Sequence, residues 1–387
     1  MTESPAAEPA ALDRIARLEE KVRQLPKVSL HDHLDGSLRP ATMIALAAEI
    51  GHTLPADDAD GLAAWFVQSS TSGSLEQYLE GFAHTTAVMQ TAASLRRIAA
   101  EYVEDLAADG VVYAEVRWAP EQHQQQGLSL AEAVDAVQNG LEDGMRTVAE
   151  KDGLIVVGQL LSAMRQSDRA EEIVDLALQR RGAGVVGFDI AGPEDGFPPS
   201  RFAAAFTRLA EGMLPATVHA GEGDGVASVR DALVSGRAQR LGHGVRIAED
   251  ISVSEVSEET EDGEEALEVS LGEVARWVRD RRIHLEMCPT SNLQTGAVAG
   301  FAPDGEEAVL EDHPFDMLHQ LGFSVGVNTD NRLVSGVTLS GELARLAVAF
   351  DYETAELADF QINAIGAAFL GYEEREALSA LIREAWQ

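Results

Sequence analysis

Four short segments of this sequence carry residue types that together could hold a divalent metal and move protons. His31 and His33 stand at i and i+2 in HDHLDG, His219 and Glu222 in HAGE, His243 in GHG, and Asp330 beside Asn331 in NTDN. Each follows or ends a short apolar run that reads as a β-strand. Side chains alternate along an extended chain, so His31 and His33 project from one face and can offer two nitrogens to one ion. Three imidazoles and one carboxylate with an open position make a catalytic zinc site, in which the metal lowers the pKa of its water to about 7. This pattern assigns His31, His33, His219 and Asp330 to one Zn2+ per chain. His243 is left over as a base or electrostatic partner for the metal's water. Glu222, three residues past a ligand, is placed to give a proton to a substrate atom.

Residues so far apart in sequence need a scaffold that gathers them. Eight β-rich apolar runs recur from Pro26 onward: Val28–His33, Val111–Trp118, Leu154–Met164, Val185–Ala191, Ala216–His219, Arg240–His243, Ile283–Cys288 and Phe323–Thr329. Helical periodicity fills the gaps, as in 168–181, 200–211 and 271–282. Strand and helix in alternation predict a parallel sheet, and eight units close a (β/α)8 TIM barrel. The chemistry-bearing residues fall at the C-terminal ends of the runs, which in that fold converge on the face where active sites are built. A lone histidine on an apolar strand is usually structural. Four at strand ends with two carboxylates are better explained by a site. The fourth run has no lysine that could bridge two metals, which favours a single ion.

The prediction is therefore an α/β protein with an N-terminal tail and helix over residues 1–25 and a single metal-dependent hydrolase barrel domain over 26–387. Extra helices are expected in the long insertion after the first strand, about 38–90, and a helical extension at 339–386. The second insertion, about 246–270, holds Glu249, Asp250, Glu255, Glu258, Glu259, Glu261, Asp262, Glu264, Glu265 and Glu268 with no balancing cation. Such a block reads as a solvated loop.

Composition limits the partners. With 387 residues, 45% hydrophobic and 24% charged, the chain can bury a full core. Its 65 Asp and Glu against 29 Lys and Arg give a formal charge of -36, which repels phosphate backbones and anionic membranes. The expected partner is a small molecule, with no nucleic acid and no membrane; a monomer is compatible, and the sequence does not fix the oligomeric state. The single cysteine, Cys288, excludes an intramolecular disulfide and fits a reducing, cytoplasmic location. No signal-like start and no run of 18 apolar residues is present.

Taken in order, LHDHLDGSL, DIAGPE, HAGE, LGHG, CPTSN and NTDN resemble the adenosine deaminase family of the amidohydrolase superfamily, and the resemblance covers most of the chain from about Ser29. It implies a one-zinc barrel that hydrolyses the 6-amino group of adenosine or 2′-deoxyadenosine to give inosine or 2′-deoxyinosine and ammonia, in purine salvage. Carried over, His31, His33, His219 and Asp330 match the zinc ligands, and His243 matches the residue that orients the attacking hydroxide. Glu222 matches the acid that protonates ring N1. Gly192 resembles a backbone contact to purine N3, and Asp35 a partner of the ribose 5′-hydroxyl. Asn331 stands where many relatives carry a second Asp facing N7; an amide always has a donor, whereas Asp must first be protonated. Leu75, Tyr78, Leu79 and Phe82, at i, i+3, i+4 and i+7, make either a core stripe or an apolar gate over the nucleoside pocket.

Two other readings stand beside this one. One is a related deaminase of adenine, of an aminofutalosine-type nucleoside, or of AMP. The other is a non-catalytic adenosine-binding protein. Asp35, where the first two relatives typically carry Glu, favours a ribose 5′-hydroxyl. A phosphate would need cations at the mouth.

Overall fold

The computed structural model describes residues 7–71, 81–259 and 265–387. Eight parallel strands form its core: β1 (Lys27–His33), β2 (Val111–Trp118), β3 (Val156–Met164), β4 (Val185–Ala191), β5 (Thr217–Ala220), β6 (Arg240–His243), β9 (His284–Met287) and β10 (Val325–Val327), with β7 (Ile251–Glu259) and β8 (Glu265–Leu271) lying outside the ring. Strands β1 to β4 pair in sequence, as do β5, β6, β9 and β10. Single parallel bridges join the two halves, Phe188 with Ala216 and Asp32 with Asp330. At the second seam the His33 N–H donates to the Asp330 carbonyl at 2.7 Å and the Asp330 N–H to that of His31 at 3.0 Å. The sheet thus closes into the (β/α)8 barrel.

The strands are buried almost throughout, as expected where helices cover the outer face and side chains fill the inner one. All eight predicted runs are strands. The eighth is shorter than predicted because the chain leaves the ladder at Asn328. Its side-chain Oδ1 accepts from the Leu30 and His31 N–H groups at 2.8 and 3.0 Å, replacing a carbonyl that a continuing strand would have offered. Helices including Leu130–Ala149, Ala170–Arg180, Ala203–Glu211 and Val226–Val234 connect the strands.

The first insertion contains Pro40–Ile50, Ala59–Ser70 and Phe82–Val88. Pro40 sits where a missing N–H costs nothing, and the Asp58 carboxylate accepts from the Gly61 N–H. The second insertion departs from expectation. Its described residues form an antiparallel hairpin, β7 with β8, in which Ile251 pairs with Leu271 and Val253 with Val269. Alternation in ISVSEV and LEVSL is a strand pattern that the density of carboxylates concealed. Asp250 closes the hairpin onto the following helix by accepting from the Val274 and Ala275 N–H groups, both at 2.9 Å. At the termini, a helix spans Ala7–Arg23, and the Trp386 Nε1–H donates to the Pro26 carbonyl at 2.8 Å. No helix among the described residues is long and apolar enough to cross a membrane.

Candidate active site

Barrel closure brings His31 and His33 at the end of β1, His219 of β5 and Asp330 after β10 into one group whose ligand atoms all lie within 4.8 Å of one another. The Nε2 atoms of His33 and His219 are 3.2 Å apart. Asp330 Oδ1 is 3.4 Å from His31 Nε2 and 3.3 Å from His33 Nε2. Zinc–nitrogen bonds of about 2.0–2.1 Å at tetrahedral angles require donor atoms about 3.3–3.4 Å apart, so the spacing fits one such ion. The buried His31 Nε2 makes no hydrogen bond, as suits a lone pair kept for a metal. Burial holds His33 well below the usual imidazole range and lowers His219 as well, leaving the rings neutral and able to ligate. Asp330 adopts a left-handed backbone, φ 58°, as does His243, φ 59°. Non-glycine residues seldom accept this conformation, and it concentrates at functional sites.

The rings are aimed from behind. His219 Nδ1 meets Asp189 Oδ2 of β4 at 2.9 Å, and His31 Nδ1 meets Glu286 Oε2 of β9 at 3.2 Å. Ser291 Oγ donates to Asp330 Oδ2 at 2.6 Å, leaving Oδ1 toward the imidazoles. Carboxylates that accept a hydrogen bond from Nδ1–H fix each ring's tautomer and turn Nε2 inward. Both carboxylates are fully buried. Burial alone would raise their pKa, but cations outweigh it: His219 and Arg117 hold Asp189 at about 2, and Arg117 and Arg240 hold Glu286 well below the carboxylate range. Arg117 Nη2 donates to Glu286 at 2.6 Å, and Arg240 Nε does so at 2.6 Å.

Glu222 lies across the cavity, with Oε2 3.4 Å from His243 Nε2. Burial first, then the carboxylates of Asp330 and Glu194, push it well above the usual range. Its loop is held by Glu194, which accepts from the N–H groups of Gly221, Glu222, Gly223 and Asp224 at 2.7, 3.0, 2.7 and 3.1 Å. Asp35, Gly192, Asn331 and Phe82 all line the same cavity. Gly192 has φ 98°, and a Cβ there would press on the Gln166 amide. A Cβ at Gly36 would overlap the Asn331 side chain, so the glycine of HLDG is what lets Asn331 reach the cavity. Asp35 Oδ1 is buried without a partner, and burial raises its carboxyl to about 7.

A family model described as adenosine deaminase matches residues 26–385. The chain belongs to the adenosine deaminase family. Adenosine deaminase from Mycobacteroides abscessus is 50% identical over 358 residues, covering 92% of this chain and 94% of that protein. Among solved structures, an amidohydrolase from Burkholderia ambifaria with bound Zn is similar at TM-score 0.78 and 25% identity, over 95% of this chain and 92% of its own. Adenine deaminase from Arthrobacter aurescens is similar at TM-score 0.76 and 26% identity, over 93% and 98% of the two chains.

Within this adenosine deaminase barrel the structure gathers His31, His33, His219, Asp330, Glu222, His243, Asp35, Gly192, Asn331 and Phe82 around one cavity. Leu75, Tyr78 and Leu79 lie outside the described residues. The buried Arg165, just after β3, donates from its guanidinium to the Phe197 and His219 carbonyls. Cys288 is buried, as are His123 and His284. The supporting residues Asp189, Glu194, Glu286, Arg117 and Arg240 were not legible. Glu194 does lie in DIAGPE, and a carboxylate two residues after the strand-end glycine was the one available signal.

Proposed function

We propose that this cavity carries out zinc-dependent hydrolytic deamination of adenosine and 2′-deoxyadenosine, yielding inosine or 2′-deoxyinosine and ammonia, as the chain's membership of the adenosine deaminase family supports. The observation that carries the reading is Glu222, a buried carboxyl pushed well above the usual carboxylate range, facing His243 and the His31, His33, His219 and Asp330 quartet across one cavity. That quartet would hold one zinc, which when bound supplies a Lewis acid that makes water nucleophilic at neutral pH.

The chain's own residues do the rest. Glu222 gives its proton to purine N1, which makes C6 electrophilic; water oxygen adds to C6 and water gives up its two protons, one returning to the Glu222 carboxylate and one going to the exocyclic nitrogen, so that the bond from C6 to that nitrogen breaks and ammonia leaves. His243 interacts with the attacking oxygen. Asp35 receives the ribose 5′-hydroxyl, Asn331 faces N7, and the Gly192 backbone, free of a side chain, approaches N3. Phe82 covers the apolar side. Among the described residues no Lys or Arg lines the cavity, which supports a neutral nucleoside over a nucleotide. A cytoplasmic location accords with a thiol, Cys288, that is free and buried.

The test is metal content measured together with turnover of adenosine, 2′-deoxyadenosine, adenine, AMP and 5′-deoxyadenosine. One zinc per chain with preference for the two nucleosides is expected. Equal turnover of adenine and adenosine would overturn the nucleoside assignment. Zinc-loaded protein that leaves adenosine absorbance unchanged would point to a binding protein instead.

A further inference from the structure

His243 donates or accepts at the reaction centre according to which ring nitrogen holds its proton, and a chain of buried hydrogen bonds fixes that choice. The Phe315 backbone N–H points at His313 Nδ1, 3.1 Å away. A backbone amide can only donate, so His313 Nδ1 is the acceptor and its proton resides on Nε2. His313 Nε2 lies 3.2 Å from Asn292 Oδ1. Asn292 Nδ2 lies 3.0 Å from His243 Nδ1. Turning the Asn292 amide over would place its N–H₂ against His313 Nε2, which would then have to accept as well. His313 would carry no ring proton at all, so that orientation is excluded. Asn292 therefore donates to His243 Nδ1, and the proton of a neutral His243 lies on Nε2.

We propose that Asn292 and His313 are positioning residues, a directional relay that holds His243 in its Nε2–H form and makes it a donor to the attacking oxygen and not a base. Asn292 is carried by the short helix Pro289–Gln294 and His313 follows the turn Leu310–Asp312. All three side chains are buried, at 0%, 2% and 1% exposure for Asn292, His313 and His243. Burial keeps His313 neutral, with a pKa of about 3, so the relay does not reverse near neutral pH. His243 Nε2 opens toward Glu222 Oε2 at 3.4 Å, on the side where substrate must sit. A donor there stabilises negative charge growing on the oxygen as it bonds to C6. Proton delivery to N1 then falls to Glu222 alone. The meaning of the relay for catalysis rests on the deaminase reading; the tautomer does not.

The test uses zinc-loaded protein labelled with 15N-histidine and long-range 1H–15N spectra, which separate protonated from unprotonated ring nitrogens. His243 and His313 are assigned by the signals lost in His243→Ala and His313→Gln. Both rings should show a protonated Nε2 and an unprotonated Nδ1; a protonated Nδ1 on His243 would overturn the relay. Asn292→Asp presents only an acceptor and should pull the His243 proton to Nδ1. It should keep zinc and lower kcat by about 10²–10³ with KM for adenosine changed less than about threefold. Wild-type kcat in that variant would also overturn the proposal. Should Asn292→Asp not fold, the wild-type spectrum decides alone. Because that spectrum needs no substrate, the stated tautomer in a protein that does not turn over adenosine would defeat the deaminase reading and leave the relay standing.

Discussion

His219 Nδ1 sits 2.9 Å from Asp189 Oδ2, so a ring at the end of β5 is oriented by a carboxylate on the neighbouring strand β4. Arg117 Nη1, 3.5 Å from the same oxygen, helps keep that carboxylate ionised. Removing its charge leaves the ligand in place but poorly aimed. Asp189→Asn should weaken zinc binding by about 10–100-fold in chelator competition, with the far-ultraviolet circular dichroism unchanged. Affinity within twofold of wild type would show that His219 does not need this partner.

Removing the ring itself is a harsher change. His219→Ala takes away one of four donor atoms and should lose both zinc and activity. Full zinc occupancy in this variant, measured by elemental analysis, would contradict the ligand assignment.

Glu222→Gln keeps the shape and hydrogen-bonding of the side chain but removes the transferable proton. Zinc content should be unchanged while kcat on adenosine falls by about 10²–10⁴. An unchanged rate would take Glu222 out of the reaction.

Gly36→Ala places a methyl group where the Asn331 side chain lies, so Asn331 must withdraw from the cavity. The loss of about one hydrogen bond to substrate should raise KM for adenosine roughly tenfold, with zinc content unaffected. A KM equal to wild type would show that Asn331 does not contact the purine.

His123 is fully buried against the Met89 carbonyl, and burial lowers its pKa to about 4. An imidazole depressed on folding stabilises the native state fully above the unfolded value near 6.5 and loses that contribution as pH falls toward 4. Between pH 7 and pH 5 this one group should cost about 2 kcal/mol. Urea unfolding of His123→Gln, which cannot titrate, should show a loss smaller by that amount across the same interval. Parallel pH dependence in the two proteins would mean His123 is not buried neutral.

The sequence by itself determined the barrel and pointed to the candidate groups at its strand ends. Both have a local signature: the apolar runs that parallel strands require, and polar residues placed where those runs end. His31 and His33 share a face because strand geometry has a period of two, whatever the rest of the chain does. The acidic hairpin is the converse case, since the charge on β7 and β8 hides the same alternation.

Only the tertiary structure decided which groups aim those atoms. Asp189, Glu286, Arg117 and Arg240 are isolated charges within apolar strands, and what each one meets depends on which strand lies beside it once the barrel closes. A buried carboxylate is stable only with such partners. His313 shows the same limit. As one histidine near a proline it has no distinguishing local feature. Its position two hydrogen bonds from His243 arises because β6, the helix after β9 and the segment that follows the turn Leu310–Asp312 meet at one place. The sequence supplied the candidate groups; folding supplied their directions, because hydrogen-bond direction is a property of neighbours and not of residue type.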